Sequence, residues 1–175
     1  MRVMNTTKLI VLRGPSGSGK STTAKRLFEK AKKRIALIDQ DHYRFIFKPA
    51  GGGGKANSDS IHKMIKSDVL IALNDGYDVI LEGILSVKSY DKILDEIFTE
   101  HKGENYMYYF DISFAETVRR HKTRSKTNEF GEEDMREWYP IAHRSNHKLE
   151  QIIPEIFSQE QTVGFIIENS NLDIL

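Results

Sequence analysis

No cysteine occurs among the 175 residues. That absence excludes a disulfide framework, a thiolate zinc site, an iron–sulfur cluster and a cysteine nucleophile. An excess of charge of one sign is also lacking. Twenty-six Lys and Arg face 25 Asp and Glu, a net charge of +1, too balanced for a nucleic-acid coat or a membrane-surface protein. Any electrostatic function must come from local clustering. Long apolar runs are missing as well. Leu9–Leu12 is too short for the core of a signal peptide, and nothing later reaches a spanning length. No membrane partner and a cytoplasmic location are therefore expected. What is present, 39% hydrophobic and 29% charged residues, is the composition of a globular protein. A chain of this length buries roughly 70% of its unfolded surface, enough for one domain over residues 1–175.

Short apolar runs alternate with helical patterns. The runs at Lys8–Arg13, Arg34–Asp39, Asp78–Glu82, Tyr106–Asp111 and Thr162–Glu168 predict strands. Helices are expected at Ser21–Lys33, Ser60–Asn74, Tyr90–His101, Ala115–Arg124 and Glu132–Ile153, with Pro140 breaking or kinking the last. Ser113 and Glu116 have the spacing of a capping box that starts the fourth helix. Continuous apolar strands, each followed by a helix, imply an α/β fold with a mostly parallel sheet covered on both faces. Ligands of such sheets bind outside the carboxyl ends of the strands. Gly51–Gly54, four glycines in a row, mark a flexible loop around 49–58, either a permissive surface loop or a flap beside a substrate.

Gly14-Pro15-Ser16-Gly17-Ser18-Gly19-Lys20-Ser21 fits G-x-x-x-x-G-K-[ST] in full, with an apolar strand before it and a helical pattern, opening Ser21-Thr22, after it. The glycines let successive backbone amides face one point, and the positive end of the following helix adds to that anion cradle. Lys20 supplies a point charge for β- and γ-phosphates, and Ser21 a hydroxyl ligand for Mg²⁺. The motif predicts a nucleoside-triphosphate site. The guanine-reading N-K-x-D and the transporter signature LSGGQ are both absent, which favours a small kinase by elimination.

Three further constellations support that reading. Asp39 and Asp41 close the second strand two residues apart, and so share a face in an extended chain. A kinase acting on an alcohol needs a carboxylate to take or orient the hydroxyl proton. Asp41 is the candidate base, with N-capping of a helix from His42 as its other possible role, and Arg44 one turn on can meet an anionic group of the acceptor. Glu82 ends the third strand beside the P-loop, where a Walker-B acid is required to hold Mg²⁺ through water, and is also a candidate substrate-binding residue. Arg119-Arg120-His121-Lys122-Thr123-Arg124-Ser125-Lys126 holds five basic residues and no acid. Arg120 and Arg124 share a helical face, in a lid around 119–131, where arginines offset charge on a transferring phosphoryl group. His143 and His147 read as a helix surface, Tyr106, Tyr108 and Tyr109 as packing, and Trp138 and Tyr139 as core or a substrate wall.

On these residues the chain resembles the P-loop kinase superfamily of small phosphotransferases, from about Lys8 to Asn169. The segment Asp39-Gln40-Asp41-His42-Tyr43-Arg44 resembles the strand end of polynucleotide 5′-hydroxyl kinases, chloramphenicol phosphotransferases and zeta-toxin-like kinases. The resemblance implies a three-layer α/β/α sandwich with a five-stranded parallel sheet in the order 2-3-1-4-5, Asp41 acting on the acceptor hydroxyl, Arg44 contacting the acceptor, and Arg119–Arg124 forming the lid. It also implies that the loop after the fifth strand, placed at Asn169-Ser170-Asn171, lies by the adenine. ATP and Mg²⁺ are the expected cofactors, and the γ-phosphoryl group is expected to pass to a hydroxyl of a metabolite, nucleoside or sugar. A nucleic-acid 5′-hydroxyl is a minority case, because no long basic stripe extends beyond the lid. A nucleotide-binding regulator or slow NTPase without acceptor is the alternative class.

Overall fold

The computed structural model describes residues 6–46, 58–122, 131–139 and 143–175. Over these the elements are β1 (Lys8–Arg13), α1 (Lys20–Lys30), β2 (Ile35–Asp39), α2 (Gln40–Ile46), α3 (Ser58–Asn74) and β3 (Asp78–Gly83). There follow α4 (Val87–Glu100), β4 (Glu104–Asp111), α5 (Phe114–Lys122), α6 (Glu132–Trp138), β5 (Glu150–Pro154) and α7 (Gln159–Ser170). The five strands form one parallel sheet in the order β2-β3-β1-β4-β5, the α/β architecture and strand order expected.

The central strand explains the layering. Every residue of β1 is buried, and alternate side chains serve opposite faces. Leu9 and Val11 pack with Ile65 and Val69 of α3 and with Ile93 and Ile97 of α4. Ile10 and Leu12 pack with Ala24 and Leu27 of α1 and with Val163 and Ile166 of α7. Each such aliphatic side chain contributes about 1.5–3 kcal/mol on burial, so the carboxyl edge of β1 is a rigid platform. Among the described residues no helix is long and apolar enough to cross a membrane.

The fifth strand is not where the apolar run placed it. Thr162–Glu168 lies inside α7, and β5 begins within the stretch Glu132–Ile153, expected to be helical with a break or kink at Pro140. A run such as TVGFIIE has no periodicity that separates a buried strand from a buried helix. The capping decides it. Gln161 N–H donates to Ser158 Oγ (3.1 Å) and Ser158 N–H to Gln161 Oε1 (2.8 Å), which starts a helix ahead of the run. Asn171, at φ +47°, ends it. β5 is short and lies at the sheet edge, where Pro154 can stand without breaking a ladder. Helix α6 ends at Trp138, and Pro140 lies outside the described residues.

Candidate functional site

β1 delivers the chain to Gly14 at the carboxyl edge of the sheet, and α1 departs from Gly19. No side chain caps α1, and its first turn holds no acid. The positive end of the helix therefore faces the loop without a side-chain cap of its own. Gly17 has φ +81°, and a Cβ there would stand 2.8 Å from the Thr117 carbonyl oxygen of α5, so both conformation and space require glycine. Lys20 is buried and folds back into the loop, its Nζ donating to the Pro15 carbonyl (2.8 Å) and Ser18 Oγ (3.3 Å). Ser21 and Thr22 are exposed at the head of the helix.

The acids of the neighbouring strands open onto the same edge. Glu82 sits beside Leu12 of β1 and Asp39 of β2 in register, and is 5% exposed. Burial pushes its carboxyl up, while Lys20 and a hydrogen bond with Ser21 draw it down and Asp39 and Asp41 push it further up. The Ser21 hydroxyl and the Glu82 carboxylate are thus two oxygen donors in contact. Among the described residues no cluster of three or more His, Asp or Glu is poised to hold a metal unaided; a cation at this pair would share its coordination with phosphate oxygens and water. Helix α2 starts at Gln40, and its cap is Asp39, whose carboxylate accepts the Asp41 N–H (2.8 Å). Asp41 is not the cap. Its own carboxylate is exposed and meets Arg44 Nη1 at 3.4 Å.

Arg120 crosses from α5 to the phosphate loop. Its Nε donates to Glu116 (2.7 Å), Nη1 to the Ser18 carbonyl (2.9 Å) and Nη2 to the Glu155 carbonyl (3.3 Å). Arg119 also binds Glu116, through Nε (2.6 Å) and Nη2 (2.7 Å), and the two guanidinium groups hold the Glu116 carboxyl at about 2. The Ser113 cap is present, with Glu116 N–H donating to Ser113 Oγ (3.3 Å), but the Ser113 N–H donates to Glu155 (2.6 Å). Glu155 thus takes the return arm of the box and leaves Glu116 to the arginines. Arg124 and most of the expected lid, and Gly51–Gly54 with their loop as far as residue 57, lie outside the described residues, while Ser58, expected in that loop, opens α3.

A cleft of about 460 Å³ runs from Ser18, Gly19 and Thr23 past Arg119 and Arg120 to the Pro154–Gln159 turn. This turn, not Asn169–Asn171, is the loop after the fifth strand. Asn169 instead accepts from Tyr108 Oη (2.6 Å) and Gln151 Nε2 (2.8 Å), tying α7 to β4 and β5. His143 and His147 do not share a helix surface either: they lie in irregular chain before β5. His147 Nε2 faces Asp95 at 3.2 Å and its ring packs on Phe98. Tyr139 Oη donates to the Ile112 carbonyl (3.0 Å) and its ring meets Phe114 edge-on, a packing role. Tyr108 and Tyr109 are buried in the sheet, as expected.

Two residues carry no signal in the spacing yet shape the edge. Arg13, wholly buried just before Gly14, donates to Glu150 (3.0 Å) and to the His143 carbonyl (2.9 Å), tying the chain before β5 to the base of the phosphate loop. Gln40, 3% exposed between the two aspartates, is the other.

The comparisons agree with this geometry. Among solved structures, the chain is similar to an unliganded sugar kinase from Janibacter sp. HTCC2649 (14% identity, 96% of each chain, TM-score 0.69). The APS kinase of Mycobacterium tuberculosis, solved with AMPPNP and APS, matches at 16% identity over 93% of this chain and 96% of the other, with a TM-score of 0.68. The tunicamycin resistance protein of Deinococcus radiodurans matches at 12% identity over 96% and 98%, with a TM-score of 0.71. At these identities the likeness speaks for the fold. No curated protein matches the sequence. The family model for an AAA domain, AAA_33, matches residues 9–140, from the central strand through the phosphate loop to the end of α6. The chain belongs to that AAA domain family and has the fold of the P-loop kinase superfamily.

Proposed function

We propose that the protein is an ATP- and Mg²⁺-dependent kinase that transfers the γ-phosphoryl group to a hydroxyl of a small molecule. The observation that carries this reading is the meeting of three elements at one edge of the sheet. They are an uncapped, glycine-built anion cradle, the Ser21–Glu82 oxygen pair, and an exposed Asp41–Arg44 pair on the strand end beside it. A nucleotide regulator has no need of the third.

In this reading the triphosphate lies on the loop amides from Gly14 to Ser21, and Lys20 turns from Pro15 and Ser18 onto the β- and γ-phosphates. Ser21 and Glu82 would hold Mg²⁺, partly through water, and the ion would supply neutralisation of charge on the phosphates. The purine occupies the cleft between Arg120 and the Pro154–Gln159 turn, which supports the loop after the fifth strand as the base-side wall. Arg120 exchanges part of its contact with Glu116 and Ser18 for phosphate oxygens. Asp41 accepts the proton of the attacking hydroxyl as the new P–O bond forms, the bond to the β-phosphate oxygen breaks and ADP leaves. Arg44 orients the acceptor. Arg124, outside the described residues, is proposed to close the lid with Arg120.

The test is to incubate the protein with γ-labelled ATP, Mg²⁺ and pooled nucleosides, sugars and other small alcohols, with a 5′-hydroxyl oligonucleotide in a parallel reaction. Label in a new small phosphomonoester supports the reading. Label in the oligonucleotide alone supports a nucleic-acid 5′-hydroxyl kinase. Release of free phosphate alone supports a slow NTPase.

A further inference from the structure

Gln40 is a buried polar side chain at this edge that the proposed chemistry does not use. Gln40 stands between Asp39 and Asp41 and is 3% exposed. β2 and β3 are in register through Asp39 and Glu82 and then part. At that fork the Gln40 side chain turns back across β3. It packs so closely on Gly83 that a Cβ at that position would overlap it. Its Oε1 accepts the N–H of Leu85 (3.0 Å). Leu85 is wholly buried and has φ +44°, a left-handed conformation that an L side chain adopts only when its surroundings impose it. The same side chain hydrogen-bonds the Tyr90 hydroxyl on α4, and the Tyr90 ring meets His62 of α3 edge-on at 4.4 Å. The first turn of α2 is thereby joined to the loop that leaves Glu82 and to both helices on that face.

α2 needs this tie. β2 is an edge strand and α2 has seven residues. Among the described side chains of α2 the other buried anchor is Tyr43, whose hydroxyl donates to Asp68 (2.7 Å) a turn further on, toward Arg44. Asp39, which caps α2, and Asp41, whose N–H it accepts, are both exposed side chains. The β2–β3 ladder holds Asp39 beside Glu82; the placement of Asp41 therefore depends on the residue between the two aspartates.

Resting on the kinase reading, we infer that Gln40 is a positioning residue: its buried amide fixes the α2 turn, and with it the acceptor-side carboxylate of Asp41, relative to the Glu82–Ser21 pair. It touches neither nucleotide nor acceptor. Loss of the tie lets α2 shift, so that the base meets the acceptor hydroxyl less often while the phosphate loop still binds ATP. Misplacement of this kind lowers the rate of transfer rather than the affinity for nucleotide.

The experiment compares wild type, Gln40→Leu and Tyr90→Phe, using ATP–Mg²⁺ and the alcohol from the pooled reaction that takes label in the wild type. For Gln40→Leu the expected result is a kcat for transfer at least tenfold lower, a KM for ATP within threefold, and a larger fraction of the consumed ATP lost to water. Tyr90→Phe keeps the ring and loses one partner of Gln40, so the same shift toward water is expected at about threefold; it carries the test if Gln40→Leu does not fold. Transfer within twofold of wild type in both variants overturns the inference. So does a fall in kcat matched by an equal loss of ATP affinity, the mark of general destabilisation. Amide exchange supplies an arm that needs no acceptor: in the variants the amides of Leu85 and Asp41 should both exchange at least tenfold faster, with those of β1 unchanged. Faster exchange at Leu85 alone contradicts the tie. If wild type labels no alcohol, the kinase reading fails, and the exchange arm alone decides whether Gln40 holds the Asp41 turn.

Discussion

Replacing Lys20 by alanine removes an ammonium that stands inside the phosphate loop, donating to the Pro15 carbonyl at 2.8 Å and Ser18 Oγ at 3.3 Å. Two effects of different size follow. Hydrogen bonds from a charged donor are worth roughly 1.5–3 kcal/mol, but this lysine is buried and returns part of that as relieved desolvation. A net loss of about 1–2 kcal/mol is expected, or about 2–8 °C in Tm for a chain of this size. Without Lys20 the Glu82 carboxyl, already pushed up by burial, loses a neighbour that draws it down and rises further. The catalytic effect is larger. One preorganised electrostatic contact to a charge-bearing transition state is worth about 10²–10³ in kcat. Thermal melting without nucleotide measures the first effect, and consumption of γ-labelled ATP at saturating Mg²⁺ the second. ATP–Mg²⁺ at a hundred times its Kd should stabilise wild type by about 2.7 kcal/mol and the variant by much less at the same concentration. A Lys20→Ala protein that melts near the expected temperature yet keeps more than about a tenth of wild-type turnover refutes the phosphate-loop assignment.

Asp41→Asn should cut phosphoryl transfer by about 10²-fold or more while ATP–Mg²⁺ affinity stays within about threefold, as judged by nucleotide titration beside the label assay. If Asp39→Asn is the crippled variant instead, the base has been assigned to the wrong member of the pair. Arg120→Ala should lower kcat by about 10–10³-fold and weaken ATP binding less, because its charge matches the transferring group better than bound ATP; equal losses in both would make it a ground-state contact. Gly17→Ala, placing a methyl 2.8 Å from the Thr117 carbonyl at φ +81°, should abolish ATP-induced stabilisation in a melting assay while the far-ultraviolet circular dichroism is unchanged. In acid, Glu116 gives a signed expectation. Its carboxyl is held at about 2, against an ordinary value of 4.5. A depressed carboxyl stabilises the fold above its unfolded pKa and loses that contribution as pH falls through the folded one. The Glu116 contribution should therefore be intact above about pH 4.5 and fade toward pH 2. Denaturant melts of wild type and Glu116→Gln should converge over that window, by a modest amount because the pair is partly solvent-screened.

The phosphate loop was legible residue by residue, because its chemistry needs a fixed spacing of glycine, lysine and serine, and four of the five strands were legible because each is an unbroken apolar run ahead of a helix. The fifth was not. EQIIP has two polar residues in five and a proline, and only its place beside β4 makes it a strand, while TVGFIIE satisfies the pattern of a strand and is helical because Ser158 and Gln161 cap it. The error moved the loop after β5 by about one helix, and with it the loop proposed as the base-side wall. Asp39, Asp41, Arg44 and Glu82 were visible at strand ends, but which aspartate caps α2 was not, because the cap depends on where the helix starts. Arg13 and Gln40 follow no motif. They are polar side chains inside the fold, and their roles are set by partners 130 and 137 positions away for Arg13 and 45 and 50 for Gln40.

Phosphorus NMR of a reaction containing the protein, ATP, Mg²⁺ and the acceptor drawn from the pooled assay tests the central claim most directly. ADP and a new phosphomonoester resonance should grow together in equal amounts, with little inorganic phosphate, and Asp41→Asn should lose the phosphomonoester while still binding ATP. ADP accompanied by an equal amount of inorganic phosphate, with no phosphomonoester and no difference between wild type and Asp41→Asn, would contradict it.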